Sequence, residues 1–129
     1  MKKPWMLCGL ILAAQLLGGP GALAGPWEDG MAAYNRGDYV PAITVFRAMA
    51  AQGNARAQSL LGVMYRRGQG VSRSPVRAFV WFSRAAARGD TSAKAELNEV
   101  SQAMTPAELA QARDMAQACE ASDYRNCEY

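Results

Sequence analysis

The chain has 129 residues, with 14 Lys and Arg against 11 Asp and Glu and no histidine. Without an imidazole, Ser-His and Cys-His nucleophilic arrangements and every histidine metal site are excluded. A net charge of +3 says little by itself; how the charges are distributed along the chain says more.

In chain order, Lys2 and Lys3 precede an apolar stretch from Trp5 to Leu17, Gly18-Gly19-Pro20-Gly21 breaks it, and Ala22-Leu23-Ala24 supplies small residues. This is the three-part layout of a secretory signal peptide, cut after Ala24. The apolar stretch is too short for a bilayer, which needs about 20 residues, so no stable membrane span is expected after cleavage. Residues 25–129 would remain, enough for one domain with a modest core. Cys8 leaves with the leader, and an even pair, Cys119 and Cys127, is left. In an exported protein such a pair predicts a disulfide. A redox-active pair or a metal site is disfavoured, because there is no Cys-x-x-Cys and no histidine.

Hydrophobic spacing predicts an all-α fold of six helices in three antiparallel pairs. The first runs near 27–36 and ends at Gly37. The second, near 39–52, carries Ala42, Val45, Phe46 and Met49 on one face and stops at Gly53. The third, about 54–67, turns Ala57, Leu60, Leu61, Met64 and Tyr65 inward. Gly62 in its middle costs about 1 kcal/mol against alanine, which suggests that another helix crosses closely there. Ser74-Pro75 opens the fourth as cap and first residue. A fifth is expected from a Thr91 cap to about 103. Thr105-Pro106-Ala107-Glu108 is a capping box for the sixth, which runs to about Glu120 with a thin apolar face of Leu109, Ala112, Met115, Ala116 and Cys119. Residues 122–129 read as a tail stapled by the disulfide.

These helices repeat. A shift of 36 aligns Ala42 with Ala78, Phe46 with Phe82, Gly53 with Gly89, Ala57 with Ala93 and Leu61 with Leu97, while Tyr34 and Tyr65, and Gly37 and Gly68, stand 31 apart. The second unit is therefore longer by five residues, around Gln69 to Arg73. Fixed-period self-similarity is the mark of a solenoid. Residues 57–89, with Ala57-x-x-x-Leu61-Gly62-x-x-Tyr65, Gly68-Gln69-Gly70-Val71 and Ala78-x-x-Trp81-Phe82-x-x-Ala85-Ala86, resemble the Sel1-like repeat family, a relative of the tetratricopeptide repeats. The first unit, roughly 28–53, lacks the Gly-x-Gly-Val loop and is more similar to a tetratricopeptide unit. The resemblance implies a short α-solenoid of antiparallel helix pairs with a C-terminal capping helix, serving as a non-enzymatic binding scaffold. Some exported relatives are linked to β-lactam chemistry, but a cysteine pair in each repeat and a Ser-x-x-Lys motif are both missing here.

Charge is segregated along the chain. Tyr39 to Gly89 holds eight arginines and no acid, and Asp90 to Tyr129 holds eight acids against three bases. The basic stretch either attracts an acidic partner or forms a solvated surface complementary to the acidic cap. Basic and aromatic residues do not interleave, so nucleic acid is not an expected partner. If the first helix of each pair lines the concave face, as the resemblance implies, Arg56, Ser59, Val63 and Arg66 form one exposed row. The 36-residue shift carries that row to Ser92, Ala95, Glu99 and Gln102.

These residues are the expected contact surface for a protein or peptide, with guanidinium groups pairing carboxylates in forked geometry. The alternative is an envelope accessory whose basic face meets an anionic cell-wall or lipid component. Glu96 and Glu99, at i and i+3, read as solvated surface rather than a catalytic pair. No enzymatic activity and no cofactor are expected, the localisation is periplasmic or secreted, and the assembly state is a monomer or weak homo-oligomer.

Overall fold

The computed structural model describes residues 25–124 and 127. The proposed leader, with Cys8, lies outside the described residues. Among the described residues are six helices and no strand: α1 (Pro26–Asn35), α2 (Tyr39–Ala51), α3 (Ala55–Arg67), α4 (Pro75–Ala87), α5 (Thr91–Gln102) and α6 (Pro106–Ala121). Short connections turn α2, α3, α4 and α5 each back on the helix before it, whereas α6 packs on α4 rather than on α5. The expected third antiparallel pair is thus replaced by two helices that both lean on α4, which sits at the centre against α3, α5 and α6. The result is the short α-solenoid that the repeat predicts.

Helix starts are written locally. Proline occupies the first turn of α1, α4 and α6, where its missing N–H leaves no bond unmade. Asn54 accepts from Ala57 N–H (3.0 Å) and Ser74 from Arg77 N–H (3.2 Å). Thr105 and Glu108 form the reciprocal capping box, each side chain accepting the other's backbone N–H at 3.1 Å. Thr105→Ala is expected to cost about 1 kcal/mol, seen as a lower urea midpoint with an unchanged slope. The cap of α5 differs from expectation. Asp90, not Thr91, is the capping residue, accepting from Ala93 N–H at 2.9 Å, and Thr91 is the first helical residue.

The core is a column of alanines and aromatics: Ala42, Phe46, Ala57, Ala78, Phe82, Ala85 and Ala93 are fully buried, and Tyr65 and Trp81 nearly so. On α2 the buried face is Ala42, Ile43, Phe46 and Ala50, while Val45 and Met49 are half-buried. The face is turned because α2 packs against α1 and α3 together. On α3, Leu60 is half-buried and Gln58 is buried in its stead. The Gln58 amide donates to the Ala50 carbonyl at 3.1 Å, as a second donor on an oxygen that also accepts the Gly53 N–H at 2.9 Å. On α6, Ala112, Ala116 and Cys119 are buried, with Leu109 and Met115 half-buried against them.

The extra length of the second unit is the connection Gly68–Ser74, where the first pair turns in Arg36–Asp38. It folds back over the first pair. Tyr34 donates to Gln69 Oε1 at 3.0 Å. A Cβ on Gly70, whose φ is +74°, would come within 2.7 Å of the Tyr39 carbonyl oxygen. Both the positive φ and the close approach require glycine there.

At the other end, Cys119 and Cys127 are joined in a disulfide and both are buried. The backbone between them takes positive φ at two non-glycine residues, Asp123 (53°) and Tyr124 (69°). Arg88 lies 5.3 Å from the Tyr124 ring centroid, and its Nε donates to the Tyr124 hydroxyl at 3.0 Å.

Candidate functional site

A groove of about 250 Å³ crosses three helices. Its lining is Trp27 and Met31 from α1, Arg56, Ser59, Leu60 and Val63 from α3, and Asp90 and Ser92 from the start of α5. Glycine sets the first wall. A Cβ on Gly30 would come within 2.8 Å of the Phe46 ring, so α1 sits close on α2 and Trp27 packs beside Phe46, with ring centroids 5.3 Å apart. Arg56 then lies over Trp27, its Cζ 4.0 Å from the ring centroid. Such a stack holds a guanidinium in place and keeps its charge. Arg56 has no ion pair with an acid among the described residues.

The expected row divides at its far end. Arg56, Ser59, Val63 and Ser92 share the groove. Arg66 pairs through Nη1 with Glu96 and with Glu99, the latter at 3.3 Å. Its charge is thus answered within the chain: Glu96 is half-buried against it, while Glu99 stays largely exposed, as expected of a solvated surface. Ala95 and Gln102 are exposed on α5, outside the groove. Trp27, Met31, Leu60 and Asp90 complete the groove and were not expected there. Spacing within α3 could not disclose Trp27, since it comes from the preceding pair.

A second cavity, of about 330 Å³, lies where the Gly68–Ser74 connection meets the end of α5 and the start of α6. It is lined by Arg66, Arg73, Pro75, Glu99, Val100, Ala103 and Glu108. Elsewhere the basic half of the chain is drawn onto the acidic half. Arg84, largely buried, meets Glu120 at 3.3 Å, and Arg88 holds Tyr124. Arg47 donates to the Tyr65 hydroxyl at 2.9 Å, and Arg77 lies 5.9 Å from the same ring.

Among the described residues, no three His, Cys, Asp or Glu side chains come together as a metal site, and no helix is long and apolar enough to cross a membrane. No curated protein matches the chain. The family model of the Sel1 repeat matches residues 55–90. That span is α3, the glycine-bearing connection and α4, up to the cap of α5, and it is this unit of the chain that is similar to the Sel1 repeat.

Proposed function

We propose that the protein is an exported, non-enzymatic scaffold that holds a protein or peptide partner in the groove across α1, α3 and α5. The observation that carries this reading is Arg56, a guanidinium held on Trp27 and not paired with an acid among the described residues, beside the half-buried Met31, Leu60 and Val63. A partner segment presenting a carboxylate next to an apolar side chain complements both features. Because the stack has already removed much of the side chain's freedom, less ordering cost falls on binding. Ser59 and Ser92 add hydroxyls that can meet the partner's backbone.

The signal-like leader and the cysteine pair support export. An anionic polymer is the weaker reading of the partner, because Arg66 and Arg84 are engaged with acids of α5 and α6 and the basic face is thereby reduced. The test is capture from the envelope fraction of the source cells by the oxidised protein, side by side with Arg56→Glu. A discrete protein retained by the wild type and lost from the still-helical variant is expected, a loss of about tenfold or more for a charge-assisted contact turned repulsive. Equal retention by both, or recovery of salt-eluted glycan or lipid alone, overturns the reading.

A further inference from the structure

The second cavity differs in chemistry from the groove. Its volume of about 330 Å³ falls within the roughly 300–1,000 Å³ range of small-molecule sites. Two guanidinium groups, Arg66 and Arg73, and two carboxylates, Glu99 and Glu108, line it together with the apolar Pro75, Val100 and Ala103. A lining so balanced favours neither a simple anion nor a simple cation. A neutral molecule that carries both charges finds a partner for each.

Two of the four charged groups are anchored with their charges left open. Arg73 donates through Nε to the Arg66 main-chain carbonyl at 3.1 Å, which fixes the guanidinium and leaves both Nη groups as a fork. Glu108 accepts the Thr105 backbone N–H on Oε2 at 3.1 Å, and Oε1 remains. Neither takes part in an ion pair among the described residues, whereas Arg66 and Glu99 are joined to one another. Arg73 comes from the added length of the second unit and Glu108 from the capping box of α6. Both are therefore held by backbone bonds that exist before any ligand arrives.

We propose that this cavity binds a small aliphatic α-amino carboxylate, a free amino acid or dipeptide. Its carboxylate lies on the Arg73 fork, its ammonium on Glu108, and its side chain against Val100 and Ala103. The site is separate from the groove and does not depend on the partner assigned to it.

The test is a titration of the oxidised, ¹⁵N-labelled protein with L-leucine, and with N-acetyl-leucine amide as a probe lacking both charges, followed by amide chemical shifts. Saturable shifts at Arg73, Val100, Ala103 and Glu108 are expected with leucine, at about 1 mM or below, and none with the capped compound. Arg73→Gln is expected to weaken binding about tenfold or more. Glu108→Gln does the same while keeping the fold, because glutamine also serves in a capping box, so it carries the test if the Arg73 variant is unstable. Absence of saturable shifts, an equal response to the capped probe, or unchanged affinity in Glu108→Gln overturns the proposal. Leucine-induced shifts at Trp27 and Arg56 alone overturn it too, by placing the amino acid in the groove.

Discussion

Phe82→Ala is expected to destabilise the protein by about 3–5 kcal/mol, the cost of emptying an aromatic site in a packed core. Phe82 is fully buried and lies directly over Gly62. A Cβ on that glycine would stand 2.5 Å from the ring, well inside contact distance. Gly62→Ala alone should therefore cost up to about 2 kcal/mol: overpacking costs about 1–3 kcal/mol, and the gain in helix propensity offsets about 1. Combined with Phe82→Ala, the same methyl group enters space that the ring has vacated, and the glycine substitution becomes neutral or favourable. Urea unfolding of the four proteins measures the coupling directly, with about 1–3 kcal/mol of non-additivity expected for residues in such contact. Simple additivity would mean that the ring does not set the approach of α3 and α4.

The second large effect belongs to the Cys119–Cys127 bridge. In the loop-entropy account, closing so short a loop is worth about 2–3 kcal/mol, and here it also holds backbone that resists its own conformation. Asp123 and Tyr124 sit at positive φ, where residues other than glycine are strained. The bridge and the Arg88 contacts to Tyr124 keep them there. The Cys119→Ala/Cys127→Ala double variant is expected to lose about 2–3 kcal/mol, with hydrogen exchange faster at the end of α6 and helix content nearly unchanged. Reductant should lower the unfolding midpoint of the wild type and leave that of the variant unmoved. Identical midpoints for wild type and variant under oxidising conditions would show that the tail contributes nothing to stability.

The pairing of helices was legible because the repeat states the same contact twice. Ala42 and Phe46 recur as Ala78 and Phe82, and all four are buried. Gly62 was legible as a close approach because a helix rarely tolerates glycine at its centre without a reason. Caps made by neighbours in sequence, Ser74 and Thr105, were legible for the same local reason; Asp90 was missed because it lies next to Thr91, an equally good cap by residue type.

Contacts that span pairs were hidden. Ile43 and Val45 are both apolar, and choosing between them requires knowing that α2 has neighbours on two sides. Gln58 is polar, and its burial is compensated by a bond from its amide to the Ala50 carbonyl on the neighbouring helix, a partner that spacing within α3 does not reveal. The row of Arg56, Ser59, Val63 and Arg66 follows from helical spacing. That Glu96 and Glu99 would reach Arg66, and that Trp27 would come under Arg56, depends on how far neighbouring units rotate, which composition and period do not specify.

The ties between α4 and the last helix have a spacing of their own. Arg84 meets Glu120 and Arg88 meets Tyr124, each pair 36 residues apart. That number equals the shift that relates α2 to α4 in sequence, although α2 and α4 do not pack on each other as α4 and α6 do. α6 is thus seated directly on α4, and the molecule is a one-dimensional stack whose units interact mainly with their nearest neighbours. Its length is a variable of the architecture. A duplicated copy of 55–90 would enter as one more step along the same axis, with the α1–α2 start and the disulfide-closed end both kept.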